Sequence, residues 1–233
     1  FTNTNLFKTN SANAFEVQNN SSVSLLKADT SGMSVTINGS IDQTGTTLTQ
    51  VGSLAANANT AYIREFDISG NYMYVINQGT NGPMTIVDIS NPTSPTVVGS
   101  VSNSSMTTAR DIRVSGHYAY VASFNDTFTV IDVSNPSSPT VVGTLTDATY
   151  LDQAHGIDLQ GRYAYVTATN GVSANGYLTI IDISNPTAPT RVASVNDSNL
   201  RDAKQVDVHD KYAYVTSGAT ATPGGLVSVD ISN

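Results

Sequence analysis

The sequence has no cysteine and no tryptophan, and its ten lysines and arginines face eighteen aspartates and glutamates. Without cysteine there is neither a disulfide nor a thiolate metal site, and redox compartment leaves no mark. A formal charge of −8 over 233 residues argues against a nucleic-acid surface, which needs a basic stripe. It suits a chain whose copies repel one another weakly at neutral pH. No apolar run approaches the ~20 residues that span a bilayer. There is no Gly-x-Ser-x-Gly, no P-loop and no dinucleotide fingerprint. The three histidines, His117, His155 and His209, lack metal-ligand spacing, so neither a metal nor a cofactor is expected. Phe1-Thr2-Asn3 is neither an initiator Met nor the charged start of a signal peptide; processing or truncation is expected to have removed the true start.

What is present is one phrase written four times. It reads Ile86-Val87-Asp88-Ile89-Ser90-Asn91-Pro92, then Ile131-Asp132-Val133-Ser134-Asn135-Pro136, then Ile181-Asp182-Ile183-Ser184-Asn185-Pro186, and finally Val229-Asp230-Ile231-Ser232-Asn233. Asp and Asn bond the backbone two residues on, and proline ends strand pairing, so the phrase is a strand running into a turn. An aspartate needed in every repeat serves the repeat, not catalysis. Upstream stand Tyr72-Met73-Tyr74-Val75, Tyr118-Ala119-Tyr120-Val121, Tyr163-Ala164-Tyr165-Val166 and Tyr212-Ala213-Tyr214-Val215. Their alternation predicts strands with one face packed on a neighbour through tyrosine and the other open to close approach. Before each lies a further strand, Phe66-Asp67-Ile68 or its equivalent, joined by a turn holding Gly70, Gly116, Gly161 or Asp210. Four-stranded units recurring every ~44 to 50 residues predict a β-propeller.

The expected fold is therefore all-β: a small propeller of four four-stranded blades, at about 60–101, 109–145, 154–195 and 203–231, within residues 47–233. The last unit lacks its own outer strand, while Leu48-Thr49-Gln50-Val51-Gly52-Ser53-Leu54 matches Val97-Val98-Gly99-Ser100-Val101. Strand 47–54 is thus expected to close the last blade, since open edges invite aggregation. The repeated residues over 60–233 resemble the LVIVD-repeat β-propellers. That resemblance implies a bacterial or archaeal surface or secreted setting. It brings no catalytic residues, because that family is not defined by an activity.

Residues 1–46 do not share the repeat. Alternating runs separated by Asn19-Asn20-Ser21-Ser22 and Asp29-Thr30-Ser31-Gly32 predict a short β-meander. Residues 13–39 are similar to a small β module found ahead of other domains in phage tail-fibre-like and bacterial surface proteins. Three short strands bury too little to stand alone, so Phe15, Val17, Leu25, Leu26, Val35 and Ile37 are candidate assembly residues.

Aligning the repeats sets Arg64, Arg110, His155 and Lys204 at one equivalent position just ahead of the innermost strands. Around a channel mouth, four such side chains could hold a carboxylate, sulfate or phosphate. The plainer alternative is that each pairs with a nearby acid, Glu65, Asp111, Asp152 or Asp202. Loops 78–84, 123–128, 169–178 and 217–226 are places for partner contact, with Phe124, Phe128 and Tyr177 as their aromatics. Asn19, Asn20, Asn38, Asn103, Asn125 and Asn196 are glycosylation sequons. Together these features predict a non-enzymatic extracellular or cell-surface structural subunit whose partners are copies of itself or other surface proteins. The alternative is a monomeric propeller that binds a glycan or a protein.

Overall fold

The computed structural model describes residues 13–18, 24–29, 34–37, 50–55, 60, 62–77, 82–169, 171, 175–218 and 225–232. The chain divides into two compact units, residues 1–50 and 51–233. In the first, β1 (Asn13–Gln18), β2 (Ser24–Asp29) and β3 (Ser34–Ile37) form an antiparallel meander in the order β1-β2-β3. Its register sets Val17 opposite Leu26 and Leu26 opposite Ile37, with Phe15 opposite Ala28 and Ala28 opposite Val35. Asn19, Asn20 and Asn38 lie outside the described residues.

The second unit is four successive antiparallel sheets, each a blade whose first strand is innermost. Blade 1 holds β4 (Ile63–Ser69), β5 (Tyr72–Asn77), β6 (Met84–Asp88) and β7 (Thr96–Val101). Blade 2 holds β8 (Ala109–Ser115), β9 (Tyr118–Ser123), β10 (Thr127–Asp132) and β11 (Thr140–Thr146). Blade 3 holds β12 (Ala154–Gln160), β13 (Tyr163–Ala168), β14 (Gly176–Asp182) and β15 (Thr190–Asp197). Blade 4 holds β16 (Val206–His209), β17 (Tyr212–Ser217) and β18 (Gly225–Asp230). The inner strands β4, β8, β12 and β16 lie beside one another in that order.

The turn chemistry behaves as its residues dictate. Gly70, Gly116 and Gly161 join the first two strands with φ of 58°, 59° and 60°, and Asp210 does so at 53° in blade 4. That conformation costs glycine little and aspartate more. In each organising phrase the Asp carboxylate accepts the amide two residues on: Ser90 onto Asp88, Ser134 onto Asp132, Ser184 onto Asp182 and Ser232 onto Asp230. Asn91, Asn135 and Asn185 repeat the pattern, their side-chain oxygens accepting the amides of Thr93, Ser137 and Thr187.

Among the described residues the core is three clusters, each between two successive blades. Tyr74, Met84 and Ile86 of blade 1 meet Ile112, Ala119, Val121 and Ile131 of blade 2. Tyr120, Phe128 and Val130 then meet Ile157, Ala164, Val166 and Ile181, and Tyr165 and Leu178 meet Val206, Ala213 and Val215. Tyr74, Tyr120 and Tyr165 thus face the next blade, and Ala119, Ala164 and Ala213 let the previous blade come close. Carboxylates add a polar staple. The Val114 amide donates to Asp67 at 2.7 Å and the Val208 amide to Asp158 at 2.6 Å. Blade 2 has Arg113 at that position, and there the Ile157 amide donates to Asp111 at 2.9 Å.

The expected closing strand is not seen as a strand. Residues 47–49 lie outside the described residues, 50–55 join no ladder, and β18 has no fourth partner among the described residues. A β-carbon at Gly52 would overlap the carbonyl of Pro92, as one at Gly99 would overlap Pro136 and one at Gly143 would overlap Pro186. Gly99 and Gly143 belong to outer strands pressed on the next blade's turn. Gly52 thus stands against blade 1 as Gly99 and Gly143 stand against blades 2 and 3.

Candidate functional site

Backbone geometry repeats where the four basic residues stand. Each stands two residues after one in the left-handed region: Tyr62 (φ 59°), Thr108 (61°), Gln153 (55°) and Asp202 (55°). Such angles are strained for side chains like Tyr and Thr. In three blades the basic residue is also skipped by the ladder. Ile63 pairs with Asn77 and Glu65 with Ile76; Ala109 pairs with Ser123 and Asp111 with Ala122; Ala154 pairs with Ala168 and Ile157 with Val166. A bulge re-aims the side chain it carries. Here it turns Arg64, Arg110 and His155 out of the sheet faces at the start of each inner strand. Lys204 stands just ahead of β16.

The side chains converge. Nζ of Lys204 lies 3.3 Å from Nε2 of His155. His155 meets Phe124 edge-on at 5.9 Å between ring centres, and the Arg110 guanidinium lies over the other partner of that contact, 4.5 Å from the Phe124 centroid. Burial first, then Lys204, Arg110 and Arg64, push the His155 imidazole down from 6.5 to about 4, with Asp202 opposing. Burial and Arg64 lower Arg110 in the same way. His155 is therefore neutral near pH 7, and the lip is a pair of guanidinium groups and an ammonium around an imidazole.

The acids in sequence range are mostly engaged elsewhere. Lys204 pairs with Asp202 at 2.6 Å. Asp111 instead takes Arg113 at 2.7 Å and accepts the amides of Ile112 and Ile157; burial still raises its carboxyl above the usual range. Glu65 accepts the Phe66 amide at 3.2 Å, and burial together with Asp126 raises Asp152. Among the described residues no carboxylate lies within ion-pair distance of Arg64 or Arg110. Nε of Arg110 is buried with no hydrogen-bond partner there.

The other candidates are placed as follows. Phe128 is no loop aromatic: it lies on β10 opposite Ala122 of β9, stacks on Tyr120 at 6.0 Å and is fully buried. Tyr177 meets Tyr150 edge-on at 5.4 Å, and Arg191 lies 3.9 Å over the Tyr150 ring. Asn103 caps a short 3-10 turn through the Ser105 amide. Asn125 donates to the Ser104 carbonyl, and Asn196 accepts from Asn175 and donates to the Gly176 carbonyl. His117 and His209 are exposed at turns. No cluster of metal-ligating side chains occurs among the described residues, and no helix there is long and apolar enough to cross a membrane.

The two end blades expose what the inner contacts bury. Phe66 is 47% exposed, whereas its equivalents Ile112, Ile157 and Val206 are 0%, 0% and 4%. On blade 4, Tyr214 is 37% exposed against 5%, 5% and 4% for Tyr74, Tyr120 and Tyr165. Ile63, Ile68, Tyr212 and Leu226 are exposed beside them. Asp207, the equivalent of Asp67 and Asp158, has no partner among the described residues.

The LVIVD repeat matches residues 62–103, 107–147, 153–197 and 200–233. The chain belongs to the LVIVD-repeat family. No curated protein matches its sequence. In fold, this LVIVD-repeat chain is similar to the computationally designed Ika4 protein, with TM-score 0.57 and 12% identity over 78% of this chain and 98% of that one. It is also similar to Kuenenia stuttgartiensis hydrazine synthase, with TM-score 0.55 and 16% identity over 94% of this chain and 60% of that one. A third likeness is to the β-propeller domain of Myceliophteria thermophila Cps50 (Swd1), with TM-score 0.52 and 9% identity over 91% and 65%. The LVIVD-repeat chain thus spans less than two thirds of the last two. At these identities the likeness is one of fold.

Proposed function

We propose that the chain is a non-enzymatic extracellular or cell-surface propeller acting as a structural subunit, its copies associating end to end. The pair of unmatched blade faces supports this reading. Blade 4 offers Tyr212, Tyr214, Leu226 and the Asp207 carboxylate, while blade 1 offers Ile63, Phe66 and Ile68. These positions are used at every internal blade contact, so blade 4 of one copy suits blade 1 of a second as blade 1 suits blade 2. Residues 51–55 already occupy the outer-strand place ahead of blade 1, and a seated blade 4 would gain its fourth strand there. Such a contact is heterologous and grows into a ring or a filament according to whether its rotation closes. The meander β1–β3, with Phe15, Val17, Leu25, Leu26, Val35 and Ile37, is a second route to subunit contact, since three strands are marginal alone.

The test is the mass and shape of the native particle, by light scattering and negative-stain imaging. Multi-chain particles are expected, reduced to single-chain mass by Phe66→Glu or Tyr214→Glu. A single-chain mass for the unaltered protein would mean that blade 4 seats on its own blade 1, and would overturn association. The second reading, a surface propeller that binds a ligand, is favoured by the basic lip.

A further inference from the structure

We propose that the lip made by Arg64, Arg110, His155 and Lys204, walled by Phe124, is a binding site for a small oxyanion, a carboxylate or a phosphate-type group. This site is independent of association between copies, because every residue in it belongs to one chain. The charges acting on His155 are the cations Lys204, Arg110 and Arg64 and the anion Asp202. Asp111 is held by Arg113 and Asp202 by Lys204. Glu65 turns to the Phe66 amide. Two guanidinium groups are left without a carboxylate among the described residues, one of them with a buried Nε that has no acceptor.

Guanidinium forks match the two oxygens of a carboxylate or phosphate, and such charge-assisted bonds are about twice as strong as neutral ones. Like charges held this close destabilise the fold until a counter-ion enters. Burial first, and then the neighbouring cations, hold the His155 imidazole neutral. A neutral imidazole can give one N–H to the anion without adding a further charge. The Phe124 ring excludes water from one side, which strengthens each bond made there. The left-handed residue and the bulge recur in successive blades and bring in residues far apart in the chain. Strain repeated at one lip is what a positioned site needs.

The experiment follows the His155 imidazole by NMR while inorganic phosphate or citrate is added at constant ionic strength, with chloride as control. A bound anion stabilises the imidazolium, so the His155 pKa is expected to rise by about one unit or more, saturably. Phosphate and citrate are separate arms: response to only one assigns the site to a phosphate or to a carboxylate. Arg64→Gln, at an exposed position, is expected to weaken binding about tenfold, a loss of ~1.4 kcal/mol. Arg110→Gln should do the same, and without anion neither variant should melt earlier than the parent. If phosphate and citrate shift His155 no more than chloride does, or if Arg64→Gln binds as the parent does, the proposal falls.

Discussion

At the scale of single residues, position in the sheet decides which charges are useful and which are costly. His155 is held near 4 in the fold against 6.5 ordinarily. As pH falls from 6.5 towards 4 the unfolded chain takes up a proton that the folded chain refuses. Stability therefore declines through that window and owes nothing to this group above it. Asp88, Asp132 and Asp230 lie on the other side: bonds from the serine two residues on lower each from 3.8. Asp182 is lowered first by Arg162. Their contribution is complete above 3.8 and is lost as pH falls through the folded values. Urea midpoints measured from pH 7 down to 3 should thus fall in two stages, and His155→Gln should remove the upper stage alone. A single stage unchanged by that substitution would contradict the placement of His155. The four basic positions were legible because aligned repeats put equivalent residues in one column. The partner of Asp111 was not. The clue was Arg113, standing where blades 1, 3 and 4 have Asp67, Asp158 and Asp207, but its consequence depends on a burial that no linear pattern carries.

At the scale of elements, the alternation of Tyr with Ala and the Asp-x-Ser turns were enough to place the strands. Period-two patterning fixes faces, and those turn residues bond locally. What holds one blade to the next is long-range and was not readable in that way. Two contacts test it. Asp158→Ala removes the acceptor of the Val208 amide, and the expected cost is about 1–2 kcal/mol in a urea melt, since a partly buried donor is left unmade. Gly143→Ala sets a methyl group against the Pro186 carbonyl of blade 3. The outer strand must shift, and a loss of roughly 1–3 kcal/mol is expected. Gly116→Ala, at a hairpin turn with open space around it, is strained by φ alone and provides the comparison. If Gly143→Ala melts with the parent while Gly116→Ala does not, the outer strands are less tightly seated than their close approach indicates. The basic lip joins both kinds of information. Its members come from a repeat column, but their convergence on Phe124 follows from bulges and left-handed residues, which the local sequence does not announce.

At the scale of the whole propeller unit, blades that contact only their neighbours should be protected unequally. Repeats stacked in a row gain stability from each interface they share. Each of blades 2 and 3 shares two interfaces, and among the described residues their strands together carry most of the fully buried residues. Among the described residues blade 4 has one apolar cluster and three strands, and exposes Tyr212, Tyr214 and Leu226. Amide hydrogen exchange on dilute protein should therefore rank β9 and β13 as slowest and β17 as faster, although Tyr-Ala-Tyr-Val is common to all three. The same measurement at high protein concentration separates the ways of covering the end faces. If copies associate through blade 4 and blade 1, protection should rise in β17, β18 and β4 with concentration, while β9 and β13 stay as they were. If blade 4 closes on blade 1 within one chain, β17 should be as protected as β9 at every concentration, and Tyr214→Glu should then destabilise the fold as Tyr120→Glu does. Concentration dependence confined to the end blades is the signature that distinguishes an assembling subunit from a closed ring.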